Sequence, residues 1–370
     1  MSQTRVSTAP LPRLDELETP RVVVDLDRLE ANLARQQAIC DEHQVELWPH
    51  IKTHKCVEIA RRQLELGARG LTCAKIGEAE AMLPSGVRRI FIAHSIVDPR
   101  NGPRLAALAG ALDELIMAVT SKLHAEALNA VLASAGLTLP VMMAVDTGLG
   151  REGSRSLEDA KELAATIQCL SNLTLRGFYS HEGHAYGKNG EELETVARAV
   201  HAQLSKVRDA IAPELPIWPG CSATAAIMAT LPNVQAVRPG AYVYGDISLC
   251  VTAKVLPWEA AALTILTTVV DRPQPGLALI DAGSKTFSGD KARSGDSGIE
   301  LREGKLRVIR CNEEHGYLNG DGVDDLNLGD RLRFIPAHVC PVLNLADETI
   351  VVRGAEVVDI WPVDARGKNR

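Results

Sequence analysis

Short apolar, β-branched runs alternate with longer amphipathic stretches rich in Ala, Leu, Glu and Arg from about residue 20 to residue 245. The short runs have the length of buried strands, whereas the longer stretches carry apolar residues at helical spacing. In the first long stretch, Leu29, Leu33 and Ile39 fall near one helical face. The helix candidates include residues 26–42, 125–135 and 157–168. The strand candidates are residues 22–24, 45–48, 71–74, 90–93, 115–119, 141–145, 175–179 and 217–218, with a ninth short run before Arg238.

This alternation predicts an α/β fold. Eight strand–helix repeats in this length fit a closed (β/α)₈ TIM-type barrel. A doubly wound open sheet is the alternative, but no GxGxxG motif opens the first helix. After about residue 250 the pattern becomes strand-like with intervening turns, which is typical of an antiparallel β domain. The strand candidates there are residues 262–270, 277–280, 305–310, 331–335 and 349–352. We therefore expect a barrel over residues 20–247 and a β-rich domain formed by residues 1–19 and 248–370.

Composition narrows the class of protein. The 370 residues carry a formal net charge of −7 without a basic block, so no nucleic-acid or anionic membrane partner is expected. No apolar run reaches transmembrane length. Residues 1–12 contain one Arg and no apolar core of a secretion signal. The eight Cys include no CxxC pair and indicate reduced thiols of a cytoplasmic protein.

The first candidate for chemistry is Lys52, at the predicted end of the second strand. Residues 49–55 read Pro-His-Ile-Lys-Thr-His-Lys, and on an extended strand His50, Lys52 and His54 would point to one side. The carboxyl ends of barrel strands are where such barrels place their chemistry. A lysine that forms a Schiff base must lose its proton, which burial and neighbouring positive charge favour. The segment alone also fits a solvated loop before a helix.

The second candidate is the pair His338 and Cys340, which follow a predicted strand within Pro-Ala-His-Val-Cys-Pro. Two residues apart in extended chain, they would share a face, and an imidazole with a thiolate suits zinc. Two protein ligands leave positions open for water and substrate, as a catalytic metal requires. A buried Cys beside a hydrogen-bonded His at a strand end is the alternative interpretation.

Taken together, these ordered motifs resemble the fold-type III pyridoxal-phosphate (PLP) enzymes, the alanine-racemase-like barrels, and within them the D-serine dehydratase and D-threonine aldolase group. The resemblance covers nearly the whole chain. Residues 49–55 are similar to the group's PLP-lysine motif, with Lys52 as the matching lysine. Residues 73–79, Cys-Ala-Lys-Ile-Gly-Glu-Ala, match the next strand–helix turn, and residues 312–316, Asn-Glu-Glu-His-Gly, match a further segment that is either a loop or catalytic.

The resemblance implies roles for further residues. Arg151, in Asp-Thr-Gly-Leu-Gly-Arg-Glu-Gly, would approach the PLP phenolic oxygen, and His181 would lie against the cofactor ring. Arg238 matches a residue that faces the pyridine nitrogen in alanine racemases. The implied cofactor-binding set is Lys52, Arg151, Tyr179, His181, Gly220, Ser222, Arg238, Gly240 and Tyr242. Individually, Arg151 could instead form a surface ion pair, Ser222 cap a helix and Tyr242 belong to the core.

His338 and Cys340 match the group's metal motif, and His-x-Cys in place of the aldolases' His-x-Asp favours a dehydratase. The resemblance thus implies a PLP- and zinc-dependent D-3-hydroxyamino-acid dehydratase, of the D-serine or D-threo-3-hydroxyaspartate type, with Lys52 as catalytic base. A D-threonine-aldolase-like lyase is the alternative. An amino-acid racemase would not need the metal motif, and a non-catalytic PLP carrier would not need the β domain. A homodimer with shared sites is also implied.

Overall fold

The computed structural model describes residues 12–370, so residues 1–11 of the predicted β-rich segment lie outside the described residues. Strands and helices alternate along the first two thirds of the chain. In order they are β1 (Arg21–Asp25), α1 (Leu26–Glu42), β2 (Glu46–Leu47), α2 (Val57–Leu66), β3 (Leu71–Cys73), α3 (Ile76–Met82), β4 (Arg89–Ile92), α4 (Gly102–Ala111), β5 (Glu114–Val119), α5 (Lys122–Ser134), β6 (Leu139–Ala144), α6 (Leu157–Cys169), β7 (Leu173–Tyr179), α7 (Gly190–Ile211), β8 (Ile217–Trp218), α8 (Ala225–Ala229) and β9 (Ala236–Val237).

Eight of these strands close into a ring. β3 to β8 pair in parallel in sequence order, and β2 pairs in parallel with β9. The bridge between His50 and Thr72 joins the end of β2 to β3, and the bridge between Ile217 and Val234 joins β8 to the approach to β9. The predicted (β/α)₈ TIM-type barrel is therefore confirmed. Its eight strands are the second to ninth strand candidates.

The interior of the barrel is filled by aromatic side chains set against small ones. Trp48 and Trp218 are buried with ring centroids 4.7 Å apart, and Phe91 meets Trp218 edge-on at 5.9 Å. Gly70 makes room for them, because a Cβ there would lie 2.6 Å from the Trp48 ring. Ala118 and Ala236 belong to the same cluster. This packed layer forms the floor beneath the carboxyl ends of the strands.

The first strand candidate is a strand, but its predicted place in the barrel was wrong. β1 lies between β10 (Leu263–Gln274), with which it is antiparallel, and β16 (Glu348–Arg353), with which it is parallel. Its three valines, residues 22–24, are all buried. A central strand of either sheet buries both faces, so a continuous apolar run does not indicate which sheet contains it.

The C-terminal part is the predicted antiparallel β domain. Its elements are β10, β11 (Leu277–Ile280), α9 (Ser284–Phe287), β12 (Gly298–Glu300), β13 (Leu306–Cys311), β14 (Gly316–Gly320), β15 (Arg331–Pro336), α10 (Val339–Leu345), β16 and β17 (Glu356–Pro362). β10 pairs with both β15 and β11, which closes the strands β10, β11, β14, β13, β12 and β15 into a small barrel. β1, β16 and β17 extend the sheet from β10.

Short 3-10 helical turns, and one π-helical turn, connect several elements. They are Leu14–Glu16, Leu83–Ser85, Pro99–Asn101, Gly183–Ala185, Ala241–Val243, Trp258–Ala260 and Val323–Asp325, with a π-helical turn at Ser248–Thr252. None of the helices in residues 12–370 combines the length and apolar character of a membrane span.

The aromatic floor generates a stability prediction. Replacing Trp218 with Ala leaves a cavity between Trp48 and Phe91, so we expect Trp218→Ala to cost about 3–5 kcal/mol of unfolding free energy. Thermal denaturation of the apoprotein should show a lowered Tm. Leu123→Ala is the matched control, because Leu123 is 78% exposed on α5 and its loss should change the Tm little. Equal Tm values for the two variants would contradict the packing described above.

Candidate active site

A cavity of about 1080 Å³ opens at the carboxyl ends of the barrel strands and is bounded on one side by the β domain. It brings together every predicted site residue except Tyr242. These are Lys52, Arg151, Tyr179, His181, Gly220, Ser222, Arg238, Gly240, His338 and Cys340. Residues from distant parts of the sequence therefore line the same cavity.

Lys52 reaches the cavity from a turn rather than from a strand. β2 ends at Leu47, and residues 51–54 form a turn in which the N–H groups of His54 and Lys55 donate to the carbonyl of Ile51 at 3.1 and 2.7 Å. The prediction that His50, Lys52 and His54 share a strand face was wrong. His50 and Lys52 line the cavity, whereas His54 is buried outside it. The turn rotates the chain between residue 52 and residue 54, which the period-two rule cannot anticipate.

The surroundings of Lys52 favour its neutral amine. Burial lowers the pKa of Lys52, and the positive charges of Arg151 and Arg238 add to this effect against the opposing charges of Cys340 and Glu78. Burial also lowers the pKa of His50 well below its usual value and that of His181 to about 3. Both imidazoles are therefore uncharged near neutral pH, and Lys52 can act as a nucleophile or base.

The loops after β8 and β9 form a cradle that only glycine permits. A Cβ at Gly240 would lie 2.6 Å from Thr53 Oγ1 and 3.0 Å from the carbonyl of His50. A Cβ at Gly220 would clash with the guanidinium of Arg238. Ser222 Oγ accepts the N–H of Gly240 at 3.0 Å and so ties the two loops together. Ser222 thus faces the cavity and does not serve as a helix cap.

Arg238 and Tyr179 form the base of the cradle. The buried Arg238 donates to the main-chain oxygens of Ser180 and Trp218, and its guanidinium lies 5.3 Å from the Phe91 ring centroid and 5.1 Å from that of Tyr179. The Tyr179 hydroxyl is buried without a hydrogen-bond partner among the described residues. An unpaired buried hydroxyl in a cavity wall indicates a polar ligand.

Tyr242 does not belong to the site. It is 3% exposed and packs in the core, where its hydroxyl accepts a hydrogen bond from Gln63 Nε2 at 2.9 Å. Its assignment to cofactor binding is corrected, because the 3-10 turn Ala241–Val243 directs residue 242 toward α2. Gly240 and Ala241 of the same segment do line the cavity.

His338 and Cys340 enter the cavity at the start of α10. His338 is the extended N-cap residue and Cys340 lies in the first helical turn, so a helix start rather than an extended chain presents them. His338 Nδ1 lies 2.7 Å from Asp290 Oδ2, and Cys340 Sγ lies 3.2 Å from Thr53 Oγ1. The strand predicted before them is β15. Both side chains face the cavity, as expected, but the start of a helix and not an extended chain orients them.

Each of these two side chains shifts the pKa of the other toward its charged form. Burial disfavours the charged imidazole of His338, but the hydrogen bond and charge of Cys340, together with Asp246 and Asp290, raise the pKa of His338 to about 10. Burial likewise opposes ionisation of Cys340, but His338 and Lys52 outweigh it and lower the pKa of the thiol. The cavity therefore favours the thiolate form of Cys340, the form that binds metals.

This donor set fits a divalent metal such as zinc. Asp290 occupies Nδ1 of His338, which leaves Nε2 as the ring nitrogen available to a metal beside the Cys340 thiolate. No group of three His, Cys, Asp or Glu suited to a metal is found within residues 12–370. Two protein ligands leave the remaining positions open, as in catalytic rather than structural sites.

The cradle and Lys52 fit PLP. The glycine-lined loops admit a group close to the backbone. The Tyr179 hydroxyl has no hydrogen-bond partner among the described residues, and Lys52 supplies an amine with a lowered pKa. Late-strand loops are also where barrels bind phosphate.

Several site residues were not predicted. Asp290 and Asp246 come from regions without a recognisable motif. Asp246 is buried in the cavity wall, where it accepts the N–H of Leu249 at 3.0 Å and that of Val339 at 3.4 Å. Glu182 is buried beneath the cradle and accepts from Gly220 N–H at 3.2 Å. Only the contacts formed on folding identify these carboxylates. The segment 312–316 is the turn between β13 and β14, outside the cavity lining.

Comparison with known proteins places the chain in a family. The model of the alanine racemase N-terminal domain matches residues 24–248, and the serine dehydratase domain model matches residues 262–352. D-threonine aldolase of Arthrobacter sp is 34% identical over 98% of this chain and 95% of its own. D-threo-3-hydroxyaspartate dehydratase of Delftia sp. (strain HT23) is 31% identical over 88% of this chain and 91% of its own.

Solved structures of the same family superpose on this chain. D-threonine aldolase from Filomicrobium marinum superposes with a TM-score of 0.87 at 28% identity, covering 98% of this chain and 99% of that one. The Delftia dehydratase superposes with a TM-score of 0.82 at 29% identity, covering 95% and 98%. Its solved variants include a His-to-Ala change and, two positions later, a Cys-to-Ala change in a metal-free form.

The closed barrel, the lysine at its mouth and the appended β barrel define a fold-type III PLP-dependent enzyme. The chain belongs to the family that joins an alanine racemase N-terminal domain to a serine dehydratase domain, the family of the D-threonine aldolases and D-serine dehydratases.

The placement of Lys52 predicts where the cofactor is attached. The protein reconstituted with PLP should show the absorbance band of a lysine-bound cofactor, and Lys52→Ala should lose it, because no other cavity lysine lies beside the cradle. Borohydride reduction followed by peptide mapping should label Lys52. Lys55 is the internal control, since its ammonium is buried against Asn344 and Asn369 at 2.8 and 2.9 Å. Label on Lys55 would overturn the assignment.

The contact of Asp290 with His338 predicts metal affinity. Removing a carboxylate that orients a ligating histidine weakens metal binding by about 10–100-fold, so Asp290→Ala should raise the zinc Kd by this factor. Asp290→Asn should lose less, because an amide oxygen still accepts from Nδ1–H. Competition with a zinc-binding dye measures both. An unchanged Kd in Asp290→Ala would show that His338 is not oriented by this contact.

Proposed function

We propose that the protein is a PLP- and zinc-dependent dehydratase of D-3-hydroxy amino acids, of the D-serine or D-threo-3-hydroxyaspartate type, which releases a 2-oxo acid and ammonia. The observation that carries the proposal is the His338–Cys340 pair, which lines the same cavity as Lys52. Its spacing equals that of the His and Cys varied in the Delftia dehydratase, and the Cys variant there is described as metal-free. The curated relatives are aldolases and dehydratases, so the lyase class is common to them.

The cofactor, the metal and the residues of the cavity would each perform a different part of the reaction. PLP, when bound, supplies an electron sink for the pair left at Cα. Zinc, when bound by His338 and Cys340, supplies Lewis-acid assistance to a hydroxyl leaving from Cβ. Lys52, whose pKa is lowered by burial, takes the α-proton as general base. Arg151 provides a cationic donor at the cavity wall. Loss of water followed by hydrolysis yields the 2-oxo acid and ammonia.

A D-threonine-aldolase-like lyase is the second candidate, favoured by the 34% identity to the Arthrobacter enzyme. In that reaction the hydroxyl proton is removed and the bond between Cα and Cβ breaks, giving glycine and an aldehyde. The ligand type separates the two candidates: a soft thiolate suits zinc, whereas a carboxylate also suits harder divalent ions.

We also propose a homodimer in which the β domain of one subunit reaches the barrel mouth of the other. The side chain of Arg151 is 54% exposed at the mouth of the single chain, which supports a partner covering this position.

Product analysis tests the function. Supplied separately with D-serine, D-threonine and D-threo-3-hydroxyaspartate, the zinc-loaded holoenzyme should release ammonia and a 2-oxo acid in equal amounts from at least one. Chelation should abolish this activity but leave the cofactor absorbance, because cofactor and metal are held by different segments. Glycine and an aldehyde as the only products would replace the dehydratase with the aldolase.

The matched variant in the same assay is Cys340→Asp, which retains a metal ligand but replaces the thiolate with a carboxylate. If the thiolate favours elimination, the variant should lose most 2-oxo acid formation and gain activity with Mn²⁺ or Mg²⁺ over zinc. Undiminished elimination in this variant would remove the role proposed for the sulfur.

A further inference from the structure

His94 forms part of the cavity wall that neither the cofactor cradle nor the metal pair uses. It follows β4 and lines the cavity near Arg151 and Glu152. Behind it, Lys75 Nζ lies 2.7 Å from His94 Nε2. An ammonium can only donate, so Nε2 is the acceptor and the neutral ring carries its proton on Nδ1. Burial and the charge of Lys75 lower the pKa of His94, which agrees with a neutral ring.

The positive charge of Lys75 has no counter-ion among residues 12–370. Across residues 12–370, Lys75 forms no salt bridge, and its ammonium contacts His94 alone through a side-chain hydrogen bond. The nearby carboxylates are engaged elsewhere: Glu78 pairs with Lys55 at 3.5 Å, and Glu152 pairs with Arg151 at 3.3 Å. A half-buried ammonium without a counter-ion favours an anion on the cavity side of His94.

We infer that His94 is a specificity-determining residue that donates Nδ1–H to the second carboxylate of an acidic substrate, the class of D-3-hydroxyaspartate, and that Lys75 is the positioning residue that fixes its tautomer. This inference rests on the proposed function for the D-3-hydroxy amino acid class. Every amino acid carries the α-carboxylate, so a preference between amino acids at this wall requires a second carboxylate.

The same wall discriminates against uncharged side chains. A methyl group packed on His94 would remove water from Lys75 without compensating its charge, whereas a carboxylate would satisfy both groups. D-serine and D-threonine should therefore be poorer substrates than the diacid. A hydrogen bond to a charged group corresponds to a difference of roughly tenfold or more in affinity.

The test uses binding to the PLP-loaded holoenzyme, read from the cofactor absorbance. D-aspartate carries the second carboxylate and D-2-aminobutyrate replaces it with a methyl group, and neither has the β-hydroxyl required for water loss or aldol cleavage. The wild type should bind D-aspartate about tenfold or more tightly. His94→Leu and Lys75→Met should bring the ratio of the two Kd values close to one, and Lys75→Arg should restore it.

Lys291→Met is the matched control, because Lys291 is the other cavity-lining lysine besides Lys52 and lies on the β-domain wall. It should leave the ratio unchanged. An unchanged ratio in His94→Leu, a ratio lost only in Lys291→Met, or equal weakening of both ligands, as an α-carboxylate site would give, each overturns the inference. Absence of lyase products with a preserved ratio instead overturns the proposed function alone.

Discussion

The contact between the turn after β2 and helix α10 is the constraint on which the site depends, because it joins the barrel to the β domain. Thr53 and Cys340 meet at 3.2 Å, and Lys55 reaches Asn344 of the same helix at 2.8 Å. Lys55 and Glu78 are 5% and 2% exposed and lie 3.5 Å apart. A buried ion pair adds little net stability, but its hydrogen bonds accept only one arrangement of the elements that carry it. The turn that carries Lys52 and helix α10 are thereby fixed relative to one another.

Burial then assigns the charges within the cavity. The site contains several basic groups close together. Burial lowers the pKa values of His50, His181 and Lys52, and the two imidazoles are uncharged near neutral pH. The exception is His338, whose pKa rises to about 10 despite burial, because of Cys340, Asp246 and Asp290. Burial thus lowers the pKa of the Lys52 amine, whereas the charges of His338 and Lys52 lower the pKa of the Cys340 thiol against the effect of burial.

The sequence predicted most of this framework, and its failures have physical causes. All eight barrel strands were found as apolar runs, and α1 was predicted from residue 26 to residue 42, its observed bounds. β12, β14 and β17 were missed: β12 has three residues, β14 begins and ends with glycine, and β17 exposes most of its side chains. β1 was assigned to the wrong sheet because burial of both faces is common to central strands.

At the site, the ordered motifs identified residues whose backbone geometry is local, such as Lys52, Gly220 and Gly240. They did not identify residues that act through tertiary contact. Asp290 reaches His338 across 48 positions of sequence, and Lys75 reaches His94 across 19. The assignment of Tyr242 to the cofactor site was wrong for the opposite reason. Tyr242 lies within a matching motif, but a single turn directs its side chain into the core. Motif matching locates segments, whereas the direction of each side chain follows from the turn that presents it.

The choice between elimination and aldol cleavage depends on which bond at Cα lies parallel to the π-system of the cofactor. Lys52 and the cradle are common to both reactions, so they cannot make this choice. Under the proposed function, the groups that can are those that would hold the substituents of Cα and Cβ: His338 and Cys340 through the metal, and His94 at the distal carboxylate. A substrate held at its hydroxyl by one wall and at a distal carboxylate by the other has little freedom to rotate about the bond between Cα and Cβ. Under the proposed function, the residues that bind the hydroxyl and the distal carboxylate would therefore control which bond at Cα is broken.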